Sequence, residues 1–488
     1  MKRIAVIILG LIVGLIAFLT VRTIVYPWRR PFEAGTAARI QIDADAVARK
    51  LSEAVRFRTI SQDEPSANDP GQLVAFREWL ERTYPTVHSK LQHEVIGDYS
   101  ILYTWPGTDA ALAPVMLLAH MDVVPVQPES ENLWAHPPFA GAISDGYVWG
   151  RGTLDMKATL VGVMEAAERE LSSGKQSRRT IMIGLGHDEE AGGANGAAAI
   201  ARLLKGRGVR LEWVLDEGSV IADGMVPGLD KPLALIGVAE KGYLTAQIVV
   251  TAPGGHSAMP PYETAVTKLA RVITRIQENP LPAKVDGAAS GLLASLGPYL
   301  PIAQRTAIAN QWLFGWYLKA ALSKSTAMNA VLRTTFAPTM LSGSPKENVL
   351  PSEARATVNV RIHPRDTVDS VVAHLRALFP NDPDIQIKPV QESAGNPTAV
   401  SSTESTGFRL IERAVRNVFP ETIVAPYLSI VGTDSRHYTF IANAIYRFGP
   451  FVLKGEDLER IHGTNERISL QAAADLTRFY IRLLNSIE

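Results

Sequence analysis

Residues 115–122 read Val-Met-Leu-Leu-Ala-His120-Met-Asp122, an apolar run that ends in two side chains suited to a metal site, one position apart. Alternate residues of a strand share a face, so His120 and Asp122 serve one site if Val115 to Ala119 is a buried strand. The Asp can then orient the imidazole of a metal-bound His. The competing explanation is a strand end with solvated polar residues, and this spacing alone does not choose between them.

Two further apolar runs end the same way. Thr180 to Leu185 leads to His187-Asp-Glu-Glu190, and Leu211 to Leu215 leads to Asp216-Glu217. In open α/β sheets, ligand sites form outside the carboxyl ends of strands, so the three polar clusters are expected to converge. Between the first two lies Gly150-Arg-Gly-Thr-Leu-Asp155-Met-Lys157, a glycine-rich turn that presents an acid ahead of an expected helix from Ala158 to Leu171. Asp155 is then either a site residue or an ordinary helix N-cap. Glu189 and Glu190 precede Ala191-Gly-Gly193, where missing bulk allows close approach. Such neighbours form a solvated acidic patch or divide labour, one binding a metal while the other acts as general base. His187 is expected to be a strand-end histidine outside the site. Arg460-Ile-His462-Gly-Thr-Asn-Glu466 supplies a second imidazole near the C-terminus.

Composition narrows the chemistry. At 488 residues the chain exceeds one hydrophobic core. Its 49 basic and 49 acidic side chains balance, so no nucleic-acid partner is expected. The absence of cysteine excludes disulfides, thiolate nucleophiles and Cys-ligated zinc, leaving His, Asp and Glu to hold any metal.

The N-terminus carries 18 uncharged residues from Ile4 to Val21, close to a bilayer span. A soluble core helix is rarely apolar on every face. Tyr26 and Trp28 suit the interface, and Arg22 can snorkel from the helix end. Residues 1–30 are therefore expected to be an uncleaved signal anchor, with a cleaved signal peptide and secretion as the alternative. Lys2 and Arg3 face Arg22, Arg29 and Arg30 across the span, which blunts the positive-inside rule. The bulk of the chain is expected outside the cytoplasm, periplasmic or lumenal.

A second unit follows from pattern. Tyr243 to Thr251 predicts a strand, Glu263 to Ile276 a helix and Met328 to Phe336 a strand. Ala354, Ala356, Val358, Val360 and Ile362 then alternate with polar residues, the mark of a half-covered strand. A helix near Thr367 to Phe379 and a strand near Asp384 to Val390 complete β-α-β-β-α-β. The segment from Leu281 to Leu322 interrupts this unit with Tyr299, Trp312, Phe314, Trp316 and Tyr317. It is expected to be extra core of that unit or a dimer contact. A sharper expectation is that it lines a route for acyl chains or touches the membrane beside the anchor.

Taken in order, LLAHMDVVPV, GRGTLDMK, GHDEEAGG, LDEG, APGGHSAMP, NVLPSEARATVNVR, VGTDSRHY and HGTNE resemble the di-zinc aminoacylase/carboxypeptidase/dipeptidase family from about Ile40 to Glu488. The similar branch is the membrane-anchored or exported one, which holds vacuolar Gly-X carboxypeptidase and the secreted N-fatty-acyl-amino-acid synthase/hydrolase. The resemblance implies two Zn2+ per subunit. It makes His120 a ligand of one zinc, Asp155 the carboxylate bridging both, and Glu190 with His462 the completion of the other. Glu217 supplies the last ligand, with Asp216 as the alternative. Asp122 would orient the site, Glu189 would be the general base and His256 a catalytic donor to the oxyanion. Asn348 and Arg436 would bind substrate, Arg436 through its free carboxylate.

The fold class expected is α/β. A zinc-peptidase-like catalytic domain, a mixed central sheet flanked by helices, would carry an inserted α+β ferredoxin-like lid and follow an N-terminal transmembrane helix. The boundaries are 1–30 for the anchor, 40–240 and 394–488 for the catalytic domain and 241–393 for the lid and dimerisation unit. The expected activity is metal-dependent hydrolysis of an amide bond in N-acyl-amino acids or C-terminal peptide bonds, by a di-zinc-activated water with a Glu base. The alternatives are a dipeptidase or aminopeptidase on the same metals, and an inactive membrane-tethered binding protein. Expected partners are a small-molecule or peptide substrate with a free carboxylate, the membrane through the N-terminal helix, and a second copy of the chain through the lid.

Overall fold

Val115–His120 is buried along its whole length and pairs in parallel with Ile181–Gly186 on one side and Trp213–Asp216 on the other. Strands buried on both faces read as near-continuous apolar runs, which is why all three lack polar alternation. Leu117, Ala119, Ile183 and Leu215 face a core built with the helices Ala44–Val55, Lys157–Ser172 and Leu470–Ser486. Met116, Leu118, Met182 and Val214 face a second core with the helix Ala197–Gly206. Because the three strands run the same way, their carboxyl ends meet along one edge of the sheet.

The computed structural model describes residues 2–29, 38–62 and 68–488. Met1 and Arg30, the ends of the expected anchor, lie outside them. The central sheet has ten strands and is mixed. From one edge its order is Gln92–Ile96, Ser100–Trp105, Ile181–Gly186, Val115–His120, Trp213–Asp216, Ile445–Arg447, Leu233–Glu240, Ile221–Ala222 and Val452–Leu453, with Ile423–Ser429 beside Leu233–Glu240.

A separate antiparallel sheet is ordered Thr335–Ser342, Glu353–Ile362, Gly242–Thr251 and Ile385–Gly395. Leu244, Ala246, Ile248 and Val250 alternate inward, as do the even-numbered residues from Ala354 to Ile362. The helices Ala265–Glu278 and Val368–Ala377 cover that face. The chain order is β-α-β-β-α-β, as the pattern predicts. Its first and last strands meet the central-sheet unit side by side, where Glu240 N donates to Thr398 Oγ1 (2.8 Å) and Thr398 N donates to the Glu240 carbonyl (3.1 Å).

Two expectations are corrected. Met328 to Leu332 is helical, part of Thr326–Leu332, and the strand begins at Thr335. Ser325 caps that helix by accepting from Met328 N, a local signal that outweighs the apolar run. The aromatic-rich insertion is also not extra core of the second unit. It folds as the helices Gly287–Leu296, Ile302–Ala309 and Gln311–Leu322, and Leu292 and Leu296 pack on Ile423 and Ala425 of the central sheet.

Lys2–Val25 is one helix, with a mean hydropathy of 3.1 over its most apolar stretch and none of that stretch buried. By length and composition it is able to cross a membrane.

Candidate active site

His120 closes its strand, and its Nδ1 lies 2.9 Å from the backbone carbonyl of Asp122. A ring N–H donated there leaves Nε2 turned toward Asp155 Oδ1 (3.0 Å) and Glu217 Oε1 (3.2 Å). The Asp122 carboxylate also faces that ring, with Oδ1 3.4 Å from His120 Nδ1, and works in a second direction. It accepts from Ser61 Oγ (2.7 Å), Glu189 N (3.2 Å) and Glu190 N (3.1 Å). Asp122 thereby ties the strand end to the tight turn Glu189–Ala191 and aims both glutamates. Burial opposes its charge, but the His120 and Ser61 bonds and the Glu190 amide hold the carboxyl below its ordinary range.

Asp155 is no N-cap. The helix after it starts at Lys157, and its cap residue Met156 makes no side-chain capping bond. The Asp155 carboxylate instead spans two imidazoles, Oδ1 at 3.0 Å from His120 Nε2 and Oδ2 at 3.0 Å from His462 Nε2. Glu190 Oε2 lies 3.5 Å from His462 Nε2, while its Oε1 is buried without a hydrogen-bond partner. Ligand atoms of His120, Asp155 and Glu190 lie within 4.8 Å of one another, as do those of His120, Glu189 and Glu217.

Between the two candidates at the third strand end, the geometry distinguishes clearly. Asp216 spends its carboxylate on backbone, accepting from Glu217 N (2.9 Å) and Ser435 N (2.7 Å). Glu217 is the one that reaches His120.

The charges explain the protonation pattern. Burial and then the Asp155 charge push Glu217 up to about 8. Burial, with the charges of Asp434, Glu217 and Glu190, drives Glu189 well above the carboxylate range against the pull of His120. Bonds to Asp155 and Glu190 raise His462 to about 10. His120 pays for burial, yet the Glu217 charge and its carboxylate bonds carry it well above the usual imidazole value. His462 is half-exposed, so the cluster opens to solvent on that side.

Several predicted residues lie at the rim or elsewhere. Arg436 borders the Glu189–Ala191 turn, donating from Nη2 to the Gly192 carbonyl (2.9 Å). His187 pairs with Ser100 Oγ through Nδ1 (2.6 Å), away from the convergence. His256 and Asn348 come together on the second unit, where Ser257 N donates to the Asn348 carbonyl (3.3 Å). No hydrogen bond or ion pair among the described residues joins either of them to the cluster.

Sequence reasoning gave no role to Glu466, which is fully buried and holds the site together. It accepts from Arg151 Nη1 (2.6 Å), Gly152 N (3.0 Å), Leu154 N (2.7 Å) and Asp155 N (3.3 Å). Arg151 Nη2 donates in turn to the His462 carbonyl (2.9 Å). The signal was present as opposite charges inside two motifs, GRGTLDMK and HGTNE. Asp434 was also missed. It is buried against Gly193, whose φ is +70° and where a Cβ would stand 2.2 Å from Asp434 Oδ1. Only glycine fits there.

A model of the peptidase family M20/M25/M40 matches residues 116–486. The chain belongs to that family. It is 39% identical over 488 residues to the N-fatty-acyl-amino acid synthase/hydrolase PM20D1 of Xenopus tropicalis, covering 98% of this chain and 94% of that protein. It is 36% identical to the probable carboxypeptidase S-like 2 of Dictyostelium discoideum, covering 99% and 94%. Among solved structures it resembles an M20 family metallo-carboxypeptidase of Sulfolobus solfataricus, with a TM-score of 0.65 and 16% identity over 91% of this chain and 99% of that one.

M20 peptidases are metal-dependent, and this cluster suits a cation. Four carboxylates face two imidazoles, and the orphaned Glu190 Oε1 is a buried acceptor that lacks a donor. Metal must displace protons held by the raised groups. A group is protonated below its raised pKa, so His462 and most of Glu217 carry protons at neutral pH. Loading zinc at about pH 7 is expected to release on the order of two protons, and affinity should climb as pH rises through about 8 toward about 10. Titration calorimetry in buffers of different ionisation enthalpy reads this number, and zero release contradicts the assignment.

Proposed function

We propose that this M20 member hydrolyses the amide of N-acyl-amino acids or of C-terminal peptide units at a two-zinc site. The observation that carries the proposal is the Asp155 carboxylate spanning the imidazoles of His120 and His462. His120 and Glu217 would hold one ion, Glu190 and His462 the other, and Asp155 both; an all-N/O set suits zinc. Bound there, the ions supply Lewis acidity toward an amide carbonyl and lower the pKa of a water.

Glu189 is the base in this scheme. It neighbours His120 and Glu217, and the Asp122 carboxylate fixes its backbone amide, which places its side chain to take a proton from water and pass it to the leaving nitrogen. Arg436 offers a planar fork to the substrate carboxylate. His256 and Asn348 donate to the developing oxyanion when the second unit closes as a lid. The first and last strands of that unit meet the catalytic unit side by side at Glu240 and Thr398, which supports movement of its sheet and two covering helices as one body while the inserted helices stay on the central sheet. We accordingly assign 40–240 and 394–488 to the catalytic domain and 241–393 to the lid. Met340 and Leu341 are exposed on the lid's edge strand, which supports a homodimer through that edge; sedimentation of the solubilised protein tests it. The N-terminal helix is taken as an anchor that holds the catalytic domain outside the cytoplasm.

Similarity to a fatty-acyl-amino acid synthase/hydrolase supports a lipid acyl side, and similarity to carboxypeptidase S-like proteins supports a peptide one. A panel pairing acetyl, fatty-acyl and glycyl caps with several amino acids separates them. Cleaved substrates are expected to share a free α-carboxylate, and Arg436→Ala should lower kcat/KM by about 10- to 100-fold through loss of a charge-assisted pair. Undiminished cleavage of carboxamide analogues would sink the Arg436 role. A strict requirement for a free substrate amine would favour the dipeptidase reading instead.

A further inference from the structure

The C-terminal end of the apolar helix is locked to the insertion. Asn310 is fully buried and donates from Nδ2 to the Leu19 carbonyl (3.3 Å) and to Thr23 Oγ1 (3.3 Å). Trp28 donates from Nε1 to the Thr23 carbonyl (2.9 Å) and lies flush on Gly297, where a Cβ would come within 1.9 Å of its ring. Arg29 N donates to the Ala294 carbonyl (3.1 Å), and Arg29 pairs with Glu412 (2.8 Å).

This lock sets a depth. Phe18 meets Trp312 edge-on, with ring centroids 6.1 Å apart. Phe18 lies three residues inside the uncharged run that ends at Val21, about 4–5 Å along the helix axis at 1.5 Å per residue. If that run spans the hydrocarbon, Trp312 stands at the level where the hydrocarbon begins.

The helix Gln311–Leu322 presents the right side chains at that level. Leu318 is buried toward the protein, whereas Trp312 (57% exposed) and Trp316 (72% exposed), four residues apart on one face, point outward beside the exposed Tyr317. Tryptophan and tyrosine favour the membrane interface, and Lys319 one turn later can snorkel to headgroups. No Asp or Glu occurs from Gly287 to Lys346, while Arg305, Lys319, Lys324 and Arg333 do, a charge balance suited to anionic lipid.

We propose that the helix Gln311–Leu322 is a second membrane contact, lying in the lipid interface beside the anchor with Trp312 and Trp316 inserted. The inference rests on the anchor reading above. Together with the locked anchor, this contact fixes the orientation of the catalytic domain on the bilayer.

The chain lacks cysteine, so single nitroxide labels are clean. The full-length protein, reconstituted in an equal mixture of phosphatidylcholine and phosphatidylglycerol, carries a label through Trp316→Cys, Ala320→Cys, Leu9→Cys or Tyr262→Cys. Tyr262, fully exposed on the second unit, reports water; Leu9 reports the anchor. The expected result is that labels at 9, 316 and 320 gain oxygen collisions and lose nickel-chelate collisions relative to the label at 262. A lipid-exposed label at 9 with water-exposed labels at 316 and 320 overturns the second contact and leaves the anchor standing. Labels at 316 and 320 shielded from both reagents also overturn it, in favour of a protein partner. A water-exposed label at 9 removes the anchor reading and the inference with it.

Discussion

Glu189→Gln is expected to lower kcat by about 10²- to 10⁴-fold, the range of a general base, while the protein keeps its metal. Gln preserves the volume and the backbone amide that donates to Asp122 Oδ1, so the turn should hold its shape. What disappears is the carboxylate able to accept a proton. The measurement pairs turnover on the best substrate of the panel with metal content after purification. Activity within tenfold of the parent protein would refute the base assignment. Loss of activity together with one metal ion would make Glu189 a ligand instead, an outcome its closeness to His120 and Glu217 makes worth checking.

Glu466→Ala should produce the largest loss of stability. The side chain is buried with Arg151 in a 2.6 Å ion pair and accepts three backbone amides of the loop that carries Asp155. Removing one partner of a buried pair leaves the other charged and unsolvated, at a cost of about 3–5 kcal/mol. Arg151 also holds the His462 carbonyl, so both ends of the Asp155 bridge should loosen and metal affinity should fall by about 10- to 100-fold. Glu466→Gln, which keeps one acceptor, should recover part of both losses. A denaturation midpoint and a zinc affinity both unchanged in Glu466→Ala would show that the loops are held by other contacts.

The convergence at the sheet edge was legible because three buried strands each end in acids or imidazoles, and parallel pairing brings such ends together. The second unit was legible from alternation between Ala354 and Ile362. Elsewhere local pattern misled. Met328 to Leu332 is apolar enough for a strand, and the Ser325 cap that makes it helical is a weak mark in sequence. Asp155 sits where an N-cap belongs, and only the fold reveals that its carboxylate faces two histidines. Asp216 and Glu217 are adjacent, so a strand end cannot tell which one turns inward; the amides of Glu217 and Ser435 decide it. The insertion's contact with the anchor joins segments hundreds of residues apart, beyond the reach of periodicity.

The Glu466 clasp also bears on the order of events during synthesis. His120, Asp155, Glu190 and Glu217 all precede the second unit, but the imidazole that completes the bridge, His462, and the carboxylate that clasps the Asp155 loop, Glu466, follow it, just ahead of the helix Leu470–Ser486. Chains build from the N-terminus, so a half-made polypeptide holds most of the acids and cannot yet arrange them. The His120–Asp155–His462 bridge is therefore assembled only once the stretch that carries His462 and Glu466 has been made.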